Sequence, residues 1–199
     1  MVRIKQGERQ PVMEQTRQRL LEAAAVEFAR AGYPGANINT ISTAAGYAKG
    51  TIYNYFPSKQ ALLLALMDAT AQEHLDFMFE RSRLESDPRR RLERFFQAGF
   101  EFVALQLARA SVMFNTLNGS DETLKAHLYE VYQPLIQFLA EEILVPGIRQ
   151  GVFRPLEPAP TALLLMTIYM GTSSQHDAQG KPWLDPLQVA GLVLDGLRG

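Results

Sequence analysis

The chain has 199 residues, of which 47% are hydrophobic and 21% are charged, an ordinary globular composition that excludes fibrous, collagen-like and disordered classes. Its 20 basic and 21 acidic residues leave a formal net charge of −1, yet residues 1–60 hold eight basic and four acidic residues, a net +4, and the remainder carries −5. This asymmetry indicates a polyanion-facing N-terminal segment, while the absence of cysteine excludes disulfides, thiol nucleophiles and cysteine-bound zinc.

The N-terminal part of the chain is predicted to form four helical segments. Apolar residues recur with the period of an amphipathic helix over residues 14–31, and Gly32 is expected to end that helix in a left-handed conformation. Asn37 is a suitable N-cap for a short second helix, and a third segment over residues 48–56 ends before a proline. Ser58 can then cap a fourth helix.

The rest of the chain is also predicted to be helical, because no run alternates with the two-residue period of a strand. Asp87 and Asp185 each precede a proline, the arrangement of an N-cap followed by the first helical position. A long helix is predicted over residues 121–150 with Pro134 as its kink, and an uncharged helix over residues 160–174.

No segment predicts export or membrane insertion. The first residues lack an uninterrupted apolar run, and the longest stretch without acidic or basic residues, 158–176, contains prolines, threonines and serines. Its apolar part, residues 162–170, is too short for a bilayer span, so we interpret it as a helix buried in protein. We therefore expect a cytoplasmic protein with no membrane partner.

The most informative stretch is residues 37–59, where two short helices flank a glycine turn. A DNA-binding helix-turn-helix requires this arrangement, because the first helix braces the second in the major groove. At about 100° per residue, the second helix has one apolar and one small, hydrogen-bonding face. The inward face is predicted to hold Ala48, Ile52, Tyr55 and Phe56. The outward face is predicted to hold Gly50, Thr51, Tyr53 and Asn54, with Lys49 and Lys59 as cations.

Residues 44–62 (AAGYAKGTIYNYFPSKQAL) closely resemble the signature of the tetracycline-repressor (TetR) family of bacterial transcriptional regulators, and the match extends over roughly residues 14–66. The resemblance implies an all-α homodimer of about nine helices. Residues 1–57 would form a three-helix helix-turn-helix domain with an N-terminal arm, and residues 58–199 a helical domain for ligand sensing and dimerisation.

The family pattern also implies which residues contact DNA. This sequence departs from the family pattern at Ala48, where serine or threonine is frequent in the family, and at Asn37, where threonine is usual. Asn39 and Thr40 match the supporting helix of the family. The complete set of predicted DNA-binding residues is Asn37, Asn39, Thr40, Lys49, Gly50, Thr51, Tyr53, Asn54, Tyr55 and Lys59.

Two further basic groups have competing interpretations. Arg3, Lys5 and Arg9 could lie in a minor groove, but a frayed terminus is the default expectation. Residues 89–91 are three arginines that could clamp a phosphate, although neighbouring acids favour a solvated, salt-bridged helix face.

Catalytic and metal sites are not predicted. The three histidines are 53 and 49 residues apart, Glu141 and Glu142 diverge on a helix, and no nucleotide-binding or nucleophile motif occurs. We expect no catalytic residues, no metal and no cofactor, and we interpret the histidines as packed or surface residues.

The C-terminal part is rich in aromatic residues, which more often form core than pocket. Because the resemblance implies a cavity for an inducer, we nevertheless predict a largely apolar small-molecule site. Its predicted lining is Phe95, Phe102, Met113, Phe114, Asn115, Tyr132, Ile136 and Tyr169.

The uncharged helix 160–174 and the small and apolar residues of 186–198 predict a homodimer interface, since a helix that is apolar all round must be covered. Burial within one chain is the alternative. The predicted function is a ligand-responsive regulator, most simply a repressor that binds a palindromic double-stranded DNA operator. The alternative is a helical small-molecule carrier with a non-functional DNA-binding head, and an enzyme is the third possibility.

Overall fold

The computed structural model describes residues 6–179 and 181–198, with side chains from residue 10 onwards. This part of the chain is helical and contains no β-strand beyond two isolated bridges, which confirms the predicted all-α class. The helices are α1 Gln6–Gly35, α2 Ile38–Ala44, α3 Lys59–Arg83, α4 Pro88–Leu105, α5 Leu107–Asn118, α6 Glu122–Phe138, α7 Val145–Arg149, α8 Pro158–Ser173 and α9 Pro186–Leu197.

Five helices begin at a side-chain cap, four of which the sequence predicts as caps. Asn37 accepts a hydrogen bond from the Asn39 amide, and Ser58, Asp87 and Asp185 cap α3, α4 and α9 in the same way. Asp121 caps α6 and is the predicted start of the long helix. Each cap satisfies an amide of the first turn that has no partner within the helix.

The predicted break at Gly32 is confirmed, but both ends of α1 lie beyond the prediction. Gly32 has a φ of 66° inside α1, and one more turn follows it to Gly35. At the other end α1 begins at Gln6, eight residues before Glu14. Residues 6–11 have no apolar side chain other than Pro11, so apolar periodicity could not indicate this extension.

The predicted α-helix over residues 48–56 is wrong in its type and length. Within this range, which we call the recognition segment, only Thr51–Asn54 is helical, as one 3-10 turn. Gly50 precedes the turn with a left-handed φ of 89°, and Pro57 disfavours helix at Phe56. These two breaks leave room for a single turn.

Pro134 lies inside α6, which continues through it to Phe138, so the kink expected at this residue stays a prediction. The irregular part of the long helical run comes later, as a π-helical turn at Leu139–Leu144. Pro146 follows it and cannot donate a hydrogen bond to the carbonyl of Glu142, four residues earlier. The Arg91 guanidinium donates to that carbonyl instead, at 3.0 Å.

One hydrophobic core extends from the N-terminal helices into the C-terminal bundle. Helix α3 contributes to both parts: Leu62, Leu63 and Leu66 pack at its start and Leu75 and Met78 near its end. Helix α3 is therefore a continuous connection between the recognition segment and the bundle.

Within the described residues, none of the helices is long and apolar enough to cross a bilayer.

Candidate DNA-binding surface and buried polar site

The recognition segment is anchored by two apolar side chains and exposes a polar face. Ile52 and Phe56 are buried in the core, as predicted from the helical wheel. Asn54 is exposed, and Tyr53 exposes 53% of its surface. This geometry leaves an amide and a phenol hydroxyl free to meet a ligand outside the protein.

The remaining outward residues are more sheltered or lie before the turn. Gly50 and Thr51 are half-buried, as is Tyr55, while Lys49 is exposed. The prediction that Ala48 points inward is wrong, because this residue is exposed. Since Ala48 precedes the left-handed Gly50, it is outside the helical turn and does not follow its phase.

The turn before the recognition segment is fixed by hydrogen bonds. The Ser42 hydroxyl donates to the carbonyl of Ala48 at 2.7 Å, and the Tyr47 amide donates to the carbonyl of Ser42 at 2.9 Å. The Tyr47 hydroxyl donates to Thr16 Oγ1 at 3.1 Å, which ties the turn to α1. These contacts connect the turn before the recognition segment to both α1 and α2.

The predicted supporting residues are gathered at the start of α2. Asn37, Asn39 and Thr40 are all exposed, and the Asn37 amide donates to Glu27 Oε1 at 3.1 Å. Glu27 also accepts from the Arg30 guanidinium at 2.9 Å, so its carboxylate holds the α1–α2 corner in place.

Lys59 lies differently from what a simple DNA-contacting role suggests. Its ammonium group donates to the carbonyl oxygens of Pro34 and Ala36 at 3.0 and 3.2 Å, and it lies 4.9 Å from the centre of the Tyr33 ring. A contact of Lys59 with DNA, which stays a prediction, has to compete with these bonds. Lys49 has no such internal role among the contacts of the described residues.

The other basic groups have mixed outcomes. Arg3 and Lys5 lie outside the described residues, as does the side chain of Arg9. Arg89 pairs with Glu93 at 3.6 Å, and Arg91 donates to two backbone carbonyls. The salt-bridged interpretation of residues 89–91 is therefore supported over a phosphate clamp.

Five of the eight predicted ligand-binding residues line one buried cavity of about 20 Å³, which we call the inner cavity. These five are Phe102, Met113, Phe114, Tyr132 and Tyr169. Ile136 lines a neighbouring cavity of about 240 Å³, the outer cavity, which also includes Tyr132. Phe95 packs edge-on against Tyr169 instead, and Asn115 lines a groove beside the end of α1.

At the inner cavity His74 lies between two tyrosines, a cluster we call the His74 trio. Its Nδ1 lies 2.9 Å from the Tyr132 hydroxyl and its Nε2 lies 2.9 Å from the Tyr169 hydroxyl, while Phe102 stacks on the imidazole ring at 4.2 Å. Burial lowers the pKa of His74 to about 3 and raises the pKa of both tyrosines. The trio is therefore uncharged at neutral pH.

Sequence reasoning missed His74 and Thr70, which lie one turn apart on α3 and both line the inner cavity. Thr70 is 1% exposed and its hydroxyl has no hydrogen-bond partner among the described residues. The available signal was the pair of polar residues at i and i+4 on the otherwise apolar face of α3. Both of their side chains point into the same small space.

The face formed by α8 and α9 presents an unusual number of exposed apolar side chains. They are Leu163, Leu164, Leu187 and Leu192. A groove of about 500 Å³ runs between the two helices and is lined mainly by apolar residues. Leu164 and Leu192 line this groove, and exposed apolar side chains that lie together are typical of a protein interface.

A metal site has no counterpart in this part of the chain, because the described residues contain no group of three His, Asp or Glu side chains that could hold an ion.

The N-terminal part of the chain is similar to known bacterial regulatory proteins. The family model of bacterial regulatory proteins of the tetR family matches residues 20–66, which include α2, the recognition segment and the start of α3. The transcriptional repressor KstR2 of Mycobacterium tuberculosis is 27% identical over 140 residues, 68% of this chain and 68% of that protein.

Two solved structures have the same fold. The fatty acid degradation regulator FadR from Bacillus halodurans aligns with a TM-score of 0.80 and 24% identity over 92% of this chain and 96% of its own. FadR from Bacillus subtilis in complex with stearoyl-CoA aligns with a TM-score of 0.76 and 22% identity over 90% and 96%. The resemblance seen in residues 44–62 is confirmed, because residues 20–66 match the family model of bacterial regulatory proteins of the tetR family and the chain has the fold of the two FadR structures.

Proposed function

We propose that this protein is a transcriptional repressor that binds a palindromic operator as a homodimer and is released by a small, largely apolar inducer. The observation that carries the proposal is the recognition segment, whose apolar anchors are buried while Tyr53 and Asn54 face outward. Residues 1–57 would bind DNA and residues 58–199 would sense the ligand and dimerise.

The exposed groups suit the two classes of DNA contact. The Asn54 amide can donate to and accept from a base edge, as an asparagine does with adenine in the major groove. The Tyr53 hydroxyl and the Lys49 ammonium are suited to phosphate oxygens, which fix register without reading sequence. Gly50 adds no side chain, and a Cβ built there has nothing within 4 Å, so a DNA backbone could approach closely.

The exposed leucines of α8 and α9 support the proposal that a second copy of the chain packs against this face. We propose that residues 160–174 and 186–198 of two copies pack together around a two-fold axis, which would cover the exposed leucines. One recognition segment of a single helical turn offers few base contacts. Two segments about 34 Å apart would read a palindrome, which gives operator affinities of about 10⁻⁸ to 10⁻¹¹ M in comparable proteins.

Release by an inducer is supported by the path of α3. The helix lines the inner cavity with Thr70 and His74 and begins at Lys59, which bonds to the end of α1. The middle of α3 lies about 22 Å along the helix from Lys59. A ligand that displaces the middle of α3 would therefore also shift the recognition segment, which precedes the start of this helix. A coupling free energy of about 1–3 kcal/mol would weaken operator binding about 5- to 150-fold. The stearoyl-CoA bound by Bacillus subtilis FadR makes a fatty acyl-CoA the first inducer to test.

Selection from a random-core duplex library of about 30 base pairs tests the DNA-binding part. We expect enrichment of a palindrome whose affinity falls steeply with salt, because phosphate contacts release counterions. Asn54→Ala should change the enriched sequence, whereas Asn118→Ala, an exposed asparagine at the end of α5, should not. A protein that enriches no sequence, yet binds acyl-CoA, would instead be the small-molecule carrier.

A further inference from the structure

The His74 trio holds one hydrogen more than its internal hydrogen bonds can use. A neutral imidazole has one N–H and one nitrogen lone pair, and each tyrosine hydroxyl carries one hydrogen. Two hydrogen bonds join the three side chains, and they consume two of these three hydrogens. Whichever imidazole nitrogen carries the proton, one tyrosine O–H remains available.

The surroundings offer no partner at hydrogen-bond distance for that hydrogen. In the described residues neither tyrosine hydroxyl bonds to anything but His74. The buried Ser173 hydroxyl lies near enough to Tyr169 to influence its pKa, but it makes no hydrogen bond by geometry. Thr70 Oγ1, on the same inner cavity, is a second buried hydroxyl without a partner. Two unused donors therefore line one space.

The shape of the cavities indicates what could accept from these donors. The inner cavity, at about 20 Å³, has room for one water-sized group. Tyr132, Met166 and Met170 line both the inner and the outer cavity, so they form the partition between them. Methionine side chains are flexible enough to let a ligand pass. The outer cavity has about 240 Å³ and is mostly apolar.

Resting on the ligand-responsive function proposed above, we propose that Tyr132 and Thr70 bind an uncharged carbonyl oxygen of the inducer, whose apolar body fills the outer cavity. A carbonyl oxygen has two lone pairs and can accept from both hydroxyls. Tyr132 is the donor because it alone of the two tyrosines borders both cavities. The imidazole proton is then on Nδ1 and bonds to the Tyr132 oxygen, and the Tyr169 hydroxyl donates to Nε2.

The site discriminates against a carboxylate. Among the described residues that line the inner cavity, none has a charged side chain, and the trio itself is neutral. Arg109 is a buried cation next in sequence to Ala110, which lines the inner cavity, but its guanidinium is already paired with Glu73 at 2.8 Å. Burying an unpaired carboxylate in such a space is costly, whereas a ketone, ester or thioester carbonyl carries no charge to desolvate.

Calorimetric titration at pH 7.5 with 2-octanone and with octanoate tests this inference on the full-length protein. The two probes have the same number of carbons but differ in charge. We expect 2-octanone to bind at least about tenfold more tightly than octanoate. Tyr132→Phe should weaken ketone binding about 5- to 10-fold, the loss of one buried hydrogen bond, and Thr70→Val should act in the same direction. Tyr33→Phe is the matched control, since that half-buried tyrosine lies at the end of α1 and lines neither the inner nor the outer cavity.

Three outcomes would overturn the inference: octanoate binding as tightly as 2-octanone, no detectable ketone binding, or ketone affinity unchanged in both Tyr132→Phe and Thr70→Val. Circular dichroism melts of the variants identify any that are unfolded, and the other variant then decides. Duplex binding is measured on the same samples. A protein that binds its operator but fails these tests remains a regulator and has a different ligand chemistry, so the two proposals can fail separately.

Discussion

The ammonium nitrogen of Lys59 lies 3.0 Å from the carbonyl oxygen of Pro34, so the first turn of α3 is bonded to the last turn of α1. A second bond to Ala36 and the ring of Tyr33 complete this connection. The DNA-binding helices are thus fastened to the helix that lines the buried cavity. A lysine that sequence alone assigns to DNA also has a structural role.

Replacing Lys49 and Lys59 one at a time should separate the structural role from DNA contact. Lys59→Met removes two charge-assisted hydrogen bonds and should lower the free energy of unfolding by about 1–2 kcal/mol. Lys49→Met should leave stability within about 0.5 kcal/mol and reduce the slope of log affinity against log salt by about one. Urea denaturation and duplex titration at several salt concentrations measure both quantities. An unchanged stability of Lys59→Met would mean that its carbonyl bonds do not persist in solution.

The buried His74 should make the protein less stable in mild acid. Its pKa is about 3 in the folded chain and about 6.5 in the unfolded chain, so only the unfolded chain takes up its proton between these values. This contribution is fully present above pH 6.5 and is lost as the pH falls, by about 2 kcal/mol between pH 7 and pH 5.

Urea denaturation at pH 7, 6 and 5 measures this dependence against two variants. His74→Gln should reduce it, whereas His176→Gln retains His74 and should keep it. A wild-type histidine proton spectrum in which the buried ring titrates near pH 6.5 would contradict the expected depression of the pKa.

The helix packing around Tyr169 has no room for a side chain at position 99. A Cβ built on Gly99 would overlap Tyr169 Cε2, so Gly99→Ala forces α4 and α8 apart. We expect a loss of about 1–3 kcal/mol, typical of an overpacked core. Gly171→Ala is the control, because a Cβ there has nothing within 4 Å and alanine favours the helix. Thermal melts compare the two, and equal stabilities would refute the close packing.

The proposed dimer predicts a clear difference between two equally exposed leucines. Leu192 on α9 is 78% exposed and Leu84 after α3 is 75% exposed. Leu192→Glu would bury a charge at the interface and should convert dimer to monomer, with a large loss of operator affinity. Leu84→Glu should change neither. Sedimentation equilibrium gives the oligomeric state, and a Leu192→Glu protein that stays dimeric would direct attention to another face.

Local sequence rules predicted most of the helix starts, because caps such as Asn37, Ser58 and Asp87 act within three residues of themselves. These local rules are less successful where the backbone departs from the α-helix. The wheel drawn for residues 48–56 was correct at Ile52 but wrong at Ala48, since Gly50 breaks the helix between them.

The buried site was harder to predict for a different reason. The sequence indicates Tyr132 and Tyr169 only as aromatic residues, whereas in the structure both bond to His74, which is 58 and 95 residues away along the chain. Periodicity describes one helix at a time and cannot indicate which faces of three helices converge. The role that we propose for Thr70 depends on that convergence.

The contact of Arg91 with the Glu142 carbonyl ties an amino acid choice on one helix to a proline on another. Only a proline at 146 leaves that carbonyl without its usual amide donor, and a long basic side chain from α4 fills the gap. In an evolving lineage, a residue with an amide hydrogen at 146 would relax the need for arginine at 91. The two positions should accordingly change together rather than singly.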